Sequence, residues 1–260
     1  MTTSSCVVTG GARGIGRAIA AQMVARGHRV VVTDLDGEGA ARTAAEIGAA
    51  EGLQQDVRDP MSHRSVAEAA GRHGPLTAWF NNAGVAFDQD LADLTDEQVR
   101  TTVEVNLLGV IWGTRAALDA FGDAGGDIVI TSSLSALGPV PNLSAYAATK
   151  AAVLSLATSV NLETPRNVRV HALCPDGVAT PMVEGMVGGK AEKLVRSGGR
   201  LLTTEEVAAA AVGLVGSRRV VRTLPGWRAA VMRFGGLMPS QTGPAMKLLE
   251  LQGSRAVKRR

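Results

Sequence analysis

The stretch VVTGGARGIGRAI, residues 7–19, joins a short β-branched run to the start of an amphipathic segment. Its glycines Gly10, Gly14 and Gly16 are spaced G-x-x-x-G-x-G rather than G-x-G-x-x-G. Both spacings serve the same physics, because glycine lets the backbone turn sharply and approach a pyrophosphate that sits on the N-terminus of the next helix. The stretch therefore predicts a strand, a phosphate-binding turn and a helix.

The second apolar run, RVVVTD, ends in Asp34, eighteen residues after Gly16. This spacing is typical of a carboxylate that binds the ribose hydroxyls of adenosine and repels a 2′-phosphate. Asp34 therefore favours NAD(H) over NADP(H), and Arg13, Ile15 and Leu35 are expected beside the same nucleotide. Two alternatives stay open: Asp34 only caps the following turn, or Arg13 holds a phosphate and NADP(H) binds.

Short apolar runs alternate with longer amphipathic segments along the chain. The runs are nearly continuous in apolar residues, as in strands buried on both faces of a parallel sheet. Strands that alternate with helices predict βαβ units. The expected fold class is α/β: a single-domain Rossmann-type, doubly wound parallel β-sheet flanked by helices. The expected strands are 6–9, 29–34, 76–82, 127–133 and 168–175, and the expected helices are 14–26, 37–48, 60–73, 95–120 and 144–164.

No repeat, low-complexity tract or Ser/Pro linker divides the chain. Residues 1–217 are expected to form the dinucleotide-binding and catalytic domain, and residues 218–260 a basic extension packed on it. Residues 182–200 are glycine-rich and polar between two regular segments. Because ligands of open α/β sheets sit beyond the carboxyl ends of the strands, we interpret this segment as a lid. A floppy connector is the alternative.

The net charge of +3 is unevenly distributed. Residues 218–260 hold ten Lys or Arg and one acid, a net charge of +9, which leaves −6 for residues 1–217. Nucleic-acid-binding proteins usually pair a basic surface with stacking aromatics, and aromatics are only 3% here, so no nucleic acid partner is expected. The extension either is a disordered or neutralising tail, or contacts an anionic membrane surface or an acidic partner.

The N-terminus MTTSSCVVTGG lacks the basic start and apolar core of a signal peptide, and no apolar run reaches the ~20 residues of a membrane span. A cytoplasmic protein is expected.

Cys6 and Cys174 are the only cysteines and are expected to be buried thiols rather than a disulfide. The four histidines lack metal-ligand spacing, so we interpret them as structural or surface residues and predict no metal.

The only tyrosine lies in SAYAATK, residues 144–150, four residues before a lysine. On a helix, Tyr146 and Lys150 share one face. A phenol with an ordinary pKa of about 10 is a poor base at neutral pH, and a nearby ammonium lowers that pKa by stabilising the phenolate. The pair is a candidate acid/base for an alcohol proton. A helix-surface pair without chemistry is the alternative.

Five motifs occur in the order TGGARGIG (9–16), NNAG (81–84), VNLLG (105–109), ITSS (130–133) and YAATK (146–150). Their types and order resemble the short-chain dehydrogenase/reductase family, in particular its shorter branch. The resemblance extends over about residues 5–182, roughly two thirds of the chain. It implies an NAD(P)-dependent enzyme that acts on alcohols and ketones.

The resemblance implies a role for each residue of a catalytic set. Tyr146 would be the general acid/base, and Lys150 would bind the nicotinamide ribose and lower the pKa of the tyrosine. Ser133 would hydrogen-bond the substrate oxygen, and Asn106 would hold a water that links Lys150 to solvent. On oxidation, Tyr146 as phenolate would remove the hydroxyl proton while a hydride passes from the carbinol carbon to the nicotinamide.

The resemblance also implies which residues surround the nucleotide. Asp56 and Val57 would lie beside the adenine ring. The segment NNAG would line the adenosine side through Asn82, Ala83 and Gly84. The segment 174–182 would meet the nicotinamide through Pro175, Gly177, Val178 and Thr180.

Two features depart from the family pattern. Asp176 stands where many relatives have a glycine, which changes the backbone expected beside the nicotinamide. Residues 228–239 carry Phe234 where the last strand of shorter members is commonly followed by an acid, and more than twenty residues follow. This segment is either a drifted form of that strand or, with residues 243–252, a pair of short amphipathic helices that close the substrate pocket or rest on a membrane surface.

The altered C-terminus bears on assembly and substrate. A homodimer or a homotetramer is expected, with the dimer formed through helices 95–120 and 144–164. The apolar residues at 134–143 and 182–187, with the C-terminal segment, suggest an apolar alcohol or ketone as the small-molecule substrate.

The leading hypothesis is an NAD(H)-dependent oxidoreductase that interconverts a secondary alcohol and a ketone. One alternative is a non-catalytic NAD(H)-binding sensor or scaffold on the same fold. The other is an NADPH-dependent ketone reductase, which Asp34 opposes. The complete set of Ser133, Tyr146, Lys150 and Asn106 favours chemistry, because a sensor has no use for a tuned phenol.

Overall fold

One parallel sheet contains all the strands that the apolar runs predict, with a further strand at each edge. The computed structural model describes residues 3–186, 189–237, 251, 252 and 254. The strands of this part of the chain are β1 (Ser5–Thr9), β2 (Arg29–Asp34), β3 (Glu51–Gln54), β4 (Leu76–Asn81), β5 (Gly126–Thr131), β6 (Val168–Pro175) and β7 (Val221–Leu224). Their order in the sheet is β3-β2-β1-β4-β5-β6-β7.

The sheet reverses its direction of growth between β1 and β4. From β1 the chain adds β2 and β3 on one side, and then returns to place β4 against the other side of β1. The connection after β1 and the connection after β4 therefore run in opposite directions from neighbouring strands. Between them a crevice opens at the carboxyl ends of β1 and β4. This arrangement is the doubly wound α/β fold that the sequence predicts, and the prediction is confirmed.

The two strands that the sequence did not predict are both at edges. The sequences EGLQ of β3 and VRTL of β7 contain no continuous apolar run. Each pairs with a single neighbour in the sheet, and most of its residues are only half-buried. Their strand conformation therefore comes from backbone pairing with β2 and β6 rather than from apolar burial.

Helices cover both faces of the sheet. In the described residues they are α1 (Gly14–Ala25), α2 (Gly37–Ile47), α3 (Pro60–Arg72), α4 (Asp96–Val103), α5 (Gly109–Phe121), α6 (Ser144–Glu163), α7 (Pro181–Glu184), α8 (Lys190–Arg196), α9 (Thr204–Val212) and α10 (Gly226–Leu237). Capping boxes begin two of them, Thr95 with Gln98 at α4 and Thr203 with Glu206 at α9. These reciprocal bonds satisfy N–H groups that a helix start leaves unpaired.

Alternate residues of the central strand β1 enter two apolar layers. Val8 is fully buried in a layer that includes Ile19 of α1 and Val207 of α9. Val7 is fully buried in the opposite layer, which includes Val110 of α5 and Val153 of α6. Because successive side chains of a strand point to opposite faces, the run of Cys6, Val7 and Val8 is apolar throughout and packs in both layers.

The helix predicted at 95–120 contains a π-helical turn. After α4 ends at Val103, a π-helical turn spans Glu104–Leu108, and α5 begins at Gly109. Residues 96–121 are thus helical throughout, which confirms the helix predicted at 95–120, but the π-helical turn that adds a residue within it was not predicted. The turn contains Asn106, which is fully buried.

The C-terminal segment that the sequence left open is helical. Residues 226–237 form α10, so the interpretation of 228–239 as a drifted strand was wrong for the described residues. The last strand of the sheet is β7, which lies within the extension 218–260 and pairs with β6. Residues 243–252 fall almost entirely outside the described residues.

The glycine-rich segment 182–200 contains α8 and is tied to its surroundings on both sides. The backbone N–H of Lys190 donates to Asn142 Oδ1 at 3.0 Å. After α8, Leu202 forms a parallel β-bridge with Val178, which follows β6. The helix therefore lies beside the turn at the carboxyl end of β6.

Cys6 and Cys174 are buried free thiols, as predicted. Burial raises the pKa of both thiols, so both are protonated at neutral pH. No helix among the described residues is both long and apolar enough to cross a bilayer.

Candidate active site

A cleft of about 730 Å³ opens at the carboxyl ends of the strands. Residues named from the sequence line it along its whole length: Gly10, Arg13, Gly14, Ile15, Asp34, Leu35, Asp56, Val57, Asn82, Ala83, Gly84, Ser133, Tyr146, Lys150, Pro175, Gly177, Val178 and Thr180. Of the predicted site residues, Gly16 and Asn106 do not line it. The motifs that lie far apart in sequence thus meet in one cavity.

The three glycines of the first turn serve different purposes. Gly10 and Gly14 have φ values of +64° and +57°, which side chains other than glycine rarely adopt. A methyl group on Gly10 would also lie 2.8 Å from Cα of Ala83. A methyl group on Gly16 would overlap the carbonyl oxygen of Gly10, so this glycine lets α1 pack against the turn. Gly16 therefore shapes the cleft from behind its wall.

The N-terminus of α1 is suited to an anion. The helix begins at Gly14 and has no acidic residue in its first turn. The first N–H groups of a helix lack intrahelical partners and carry a partial positive charge. Arg13 is exposed at the N-cap position and lines the cleft. A pyrophosphate fits this end of the cleft.

Polar bonds join the ends of β1 and β4 beside the turn. Thr9 Oγ1 accepts from the backbone N–H groups of Asn82 and Ala83 at 3.0 and 3.1 Å. The side-chain amide of Asn82 donates to the carbonyl oxygens of Thr9 and Gly10 at 3.1 and 3.2 Å. These bonds fix the wall of the cleft at the point where the sheet reverses.

Asp34 ends β2 at the rim of the cleft. Its Oδ2 accepts from the N–H of Ala12 at 3.1 Å, and its Oδ1 accepts from the N–H of Asp36 at 3.2 Å. The carboxylate therefore does bind the following turn, as the alternative interpretation held, and it also lines the cavity. The next residue, Leu35, is exposed and uncharged, so it provides no cation for a 2′-phosphate.

The turn that follows β3 is held by a buried histidine. His63 of α3 is fully buried, its Nε2 lies 2.9 Å from the carbonyl oxygen of Val57, and its Nδ1 lies 3.1 Å from Nε2 of Gln55. Burial lowers the pKa of His63, so the ring is neutral, and it donates to Val57 while accepting from Gln55. Sequence analysis did not identify Gln55 or His63 as supports of this turn.

Asp56 in the same turn is paired with Arg58, a cleft residue that the sequence analysis did not select. The guanidinium contacts the carboxylate at 2.7 Å. This hydrogen bond lowers the pKa of Asp56, with partial opposition from burial. Together with the glycine turn and Asp34, these groups fit a dinucleotide that extends from α1 to β3.

Ser133, Tyr146 and Lys150 converge at the middle of the cleft. The Nζ of Lys150 donates to the carbonyl oxygen of Thr131 at 2.8 Å and lies 5.5 Å from the centroid of the Tyr146 ring. The hydroxyl of Ser132 donates to the carbonyl oxygen of Lys150 at 2.8 Å. The end of β5 thus holds the lysine both by its ammonium and by its backbone.

Burial dominates the titration of the tyrosine–lysine pair. It raises the pKa of Tyr146 to about 12, with partial opposition from a hydrogen bond with Ser133. It lowers the pKa of Lys150 to about 8. The sequence predicted a lowered pKa for Tyr146; this prediction is wrong, because the desolvation of the phenolate is the largest effect on that pKa and raises it.

Asn106 lies one layer behind the cleft. Its Oδ1 accepts from the N–H of Val85 at 2.9 Å, and its Nδ2 donates to the carbonyl oxygen of Val85 at 2.8 Å. A methyl group on Gly84 would lie 3.2 Å from Asn106 Oδ1 and 3.5 Å from Lys150 Nζ. The position that a side chain at Gly84 would occupy is therefore close to both polar groups.

The far end of the cleft is largely apolar. Its apolar lining comes from five segments of the chain: Val85, Ala86, Phe87, Pro139, Val140, Leu143, Met182, Val183, Met186, Leu194, Val195 and Met232. Asp176 and Arg228 are its charged members, and they form an ion pair of 2.6 Å. Sequence analysis marked Asp176 as a departure but did not find Arg228 or Met232, which follow more than fifty residues later on α10.

The sequence matches a known family over most of its length. Residues 4–190 match the short chain dehydrogenase family. The NADP-dependent (R)-specific alcohol dehydrogenase of Lentilactobacillus kefiri is 33% identical over 193 residues, which cover 71% of this chain and 77% of that protein. The 1-deoxy-11-beta-hydroxypentalenate dehydrogenase of Streptomyces avermitilis is 33% identical over 228 residues, which cover 83% of this chain and 82% of that protein.

The fold agrees with a solved structure of the same type. A short chain dehydrogenase/reductase from Burkholderia phymatum in complex with NAD has a TM-score of 0.81 and 26% identity, covering 89% of this chain and 92% of that chain. Family match, relatives and fold lead to one assignment. The chain belongs to the short-chain dehydrogenase/reductase family and is an NAD(P)-dependent oxidoreductase that acts on CH–OH groups.

Proposed function

We propose that this enzyme uses NAD(H) to interconvert an apolar secondary alcohol and its ketone, with Tyr146 as the general acid/base. The convergence of Ser133, Tyr146 and Lys150 at the middle of the cleft is the observation that carries this proposal. One end of the same cleft fits a dinucleotide and the other end is apolar. A reacting carbon held between them lies beside the phenol.

The chain's own groups account for the proton. Tyr146, whose pKa burial raises to about 12 from an ordinary 10, is protonated at neutral pH, so its hydroxyl is ready to donate to a ketone oxygen. A bound nicotinamide supplies the hydride in that direction and accepts it in the reverse direction. Alcohol oxidation requires the phenolate of Tyr146, and the ammonium of Lys150, whose Nζ lies 5.5 Å from the centroid of the tyrosine ring, would stabilise that negative charge. Ser133 orients the oxygen that exchanges the proton.

Asn106 is proposed to complete the proton path. Gly84 leaves space between Asn106 Oδ1 and Lys150 Nζ, and a water placed there would connect the lysine to the layer behind the cleft. The two hydrogen bonds of Asn106 with Val85 would fix that position. In this proposal Asn106 acts through the water and Lys150 rather than on the substrate.

The preference for NAD(H) follows from the end of β2. A 2′-phosphate beside Asp34 would be repelled by its carboxylate. The next residue, Leu35, is uncharged and cannot offset that repulsion. The Lentilactobacillus kefiri relative is NADP-dependent and the Burkholderia phymatum structure holds NAD, so both cofactors occur among similar proteins. Asp34 is the residue in this chain that supports NAD(H).

A titration with NADH and with NADPH, followed by cofactor fluorescence, tests the preference. We expect tighter binding of NADH, and we expect Asp34→Ala to weaken NADH or to shift the preference toward NADPH. Glu38→Ala is a matched control because Glu38 is exposed four residues away and does not line the cleft. Tighter NADPH binding by the unaltered protein would instead indicate the NADPH-dependent reductase.

A panel of secondary alcohols and ketones then tests catalysis. Tyr146→Phe should lower turnover by about 10²–10⁴-fold while NADH affinity stays within about twofold, since only the proton donor is removed. If the unaltered protein binds NADH but converts no member of the panel, and Tyr146→Phe behaves in the same way, the protein is the sensor or scaffold rather than an enzyme. Turnover of small hydrophilic alcohols but not of long-chain or polycyclic ones would refute an apolar substrate.

We also propose a homodimer or homotetramer in the cytoplasm, with helices α5 and α6 at the dimer interface. Only four of the 20 residues of α6 are buried, and Leu162 near its end is 86% exposed. Apolar surface of this kind is often covered by a partner subunit. Light scattering after gel filtration should give the mass of two or four chains, and Leu162→Asp should shift the mass toward one. A monomeric unaltered protein would contradict the proposal.

The basic extension is proposed to contact an anionic membrane surface. Trp227, Val231, Phe234 and Leu237 of α10 are all exposed, at spacings that place them on one side of the helix. They accompany the net charge of +9 of residues 218–260. Sedimentation with vesicles should show binding to phosphatidylserine vesicles that salt weakens, and little binding to phosphatidylcholine vesicles. Equal sedimentation with both, or with neither, would refute this contact.

A further inference from the structure

Arg228, at the apolar end of the cleft, contacts two other parts of the chain through its side chain. Its Nε lies 2.6 Å from Oδ2 of Asp176, at the end of β6. Its two terminal nitrogens donate to Ser197 Oγ and to the carbonyl oxygen of Leu194, each at 3.2 Å. The residue itself belongs to the first turn of α10. One guanidinium therefore links α10, α8 and the turn after β6.

The pair is enclosed as well as connected. The side chains of Arg228 and Asp176 are only 10% and 15% exposed, and both line the cleft. A methyl group on Gly198 would lie 2.6 Å from a terminal nitrogen of Arg228, so the guanidinium rests against the backbone that follows α8. Solvent screens an ion pair in such a site only weakly. Removal of either partner would leave the other as an uncompensated buried charge.

The bonds of Arg228 determine what α8 presents to the cleft. Leu194 and Val195 of α8 line the apolar end, and the carbonyl oxygen of Leu194 is one of the three acceptors. On the other side, Met232 of α10 lies one helical turn beyond Arg228 and also lines the cleft. Arg228 thus positions both walls between which a substrate would lie.

We propose that Arg228 and Asp176 form a positioning pair that holds α8 and α10 as the walls of the substrate end and keeps that end electrically neutral, so that the site selects uncharged substrates. The inference rests on the proposed function, because it assigns the substrate class of that site. Asp176 is the residue that departs from the family pattern, and its partner is supplied by the extension. Without Asp176, the cleft would contain an unpaired guanidinium.

Asp176→Asn tests the neutral site most directly, because it removes the charge and keeps the size. We expect the ratio of kcat/KM for a keto acid to kcat/KM for the matching neutral ketone to rise about tenfold, as a free guanidinium attracts the carboxylate. If Asp176 had only a structural role, the substitution would lower kcat/KM for both substrates by the same factor. An unchanged ratio would overturn the proposed selection of uncharged substrates.

Arg228→Met tests the positioning of the walls and retains much of the apolar side-chain volume. We expect KM for the neutral ketone to rise about tenfold with a smaller change in kcat, while NADH affinity stays within about twofold. Trypsin should cleave α8 at Lys190, Lys193 and Arg196 faster in this variant than in the unaltered protein, because α8 would no longer be held by Arg228. All three sites are also present in the unaltered protein. Unchanged KM together with unchanged cleavage would overturn the assignment.

Arg169→Met is the matched control, because Arg169 forms an ion pair of 2.8 Å with Asp127 at the opposite end of β6, away from the cleft. It should alter neither the substrate ratio nor cleavage in α8. Failure of the proposed function would look different: the unaltered protein would turn over no alcohol or ketone. The trypsin rates of Arg228→Met would still decide whether Arg228 holds α8.

Discussion

The two ends of the cleft are built in different ways. The end that fits a dinucleotide, called the nucleotide end below, consists of short turns directly after β1, β2, β3 and β4. Its shape is set by glycines and by hydrogen bonds to the backbone. The substrate end is assembled from side chains of residues 134–143, α7, α8 and α10, and from one ion pair between distant segments. A local motif can describe the first end, whereas only the three-dimensional structure brings the second together.

The largest effect is expected at the nucleotide end. Gly16→Ala would place a methyl group against the carbonyl oxygen of Gly10, which must then shift the turn. We expect NADH affinity to fall by about a hundredfold and the free energy of unfolding to fall by about 2–4 kcal/mol, by fluorescence titration and urea denaturation.

Gly71→Ala is the control for that substitution. Gly71 lies in the last turn of α3, is exposed, and a methyl group there would meet no atom within 4 Å. Because alanine favours helices, stability should be equal or higher by up to about 1 kcal/mol, and NADH affinity should not change. Equal losses in the two variants would show that the close packing at Gly16 is not what shapes the nucleotide end.

The second effect concerns Lys150, which lies between the two ends. Burial lowers its pKa to about 8 from an ordinary 10.5, so between these values the unfolded chain binds a proton that the folded chain does not. The free energy of unfolding should therefore rise from about pH 8 to about pH 10, by on the order of 2 kcal/mol. Above that range the raised pKa of Tyr146 acts in the opposite direction.

Lys150→Met should remove this rise, and denaturation of both proteins across the same pH range measures it. At about pH 7 the variant should also gain stability from the loss of a buried charge, offset by the loss of the bond to Thr131. Identical pH profiles for the two proteins would contradict a buried, perturbed lysine.

A smaller effect is expected at the substrate end. Met232→Ala removes part of an apolar wall without touching the nucleotide residues. We expect the preference between a bulky and a small ketone to shift about tenfold toward the bulky one, with stability lowered by only about 1 kcal/mol. Met61→Ala is a control, since Met61 is exposed on α3 and does not line the cleft. An unchanged preference would remove Met232 from the substrate wall.

The smallest effect is expected on the outer face of α10. Phe234 is 67% exposed and does not line the cleft, so Phe234→Ser should change turnover and NADH affinity by less than about twofold and stability by less than about 0.5 kcal/mol. The same variant should bind phosphatidylserine vesicles less well. A loss of activity in solution would mean that this face of α10 supports the cleft after all.

The nucleotide end was predictable because its geometry is encoded over short distances. Gly10, Gly14 and Asp34 act through backbone conformation and position relative to a strand, which a sequence pattern states directly. The sequence predicted the order of elements for the same reason, but not the edge strands β3 and β7, whose conformation depends on a neighbouring strand.

The substrate end was less predictable because its contacts join residues far apart in the chain. Asp176 could be recognised as unusual, but its partner Arg228 could be found only from the packing of α10. The π-helical turn at Asn106 was not predicted, because it adds a residue within a helix without a proline to mark it. The pKa of Tyr146 was predicted in the wrong direction because the sequence shows the ammonium of Lys150 but not the burial of the phenol.

The bonds between Thr9 and Asn82 have a consequence for how the enzyme folds. These residues are 73 positions apart, so the bonds form only after the chain has completed β2, β3 and α3 and returned to the centre of the sheet. Closing such a loop costs entropy and makes contacts of this kind late ones. A nascent chain that has not yet added β4 therefore lacks this wall of the cleft, and we expect a nicotinamide nucleotide to stabilise only chains whose central pairing is complete.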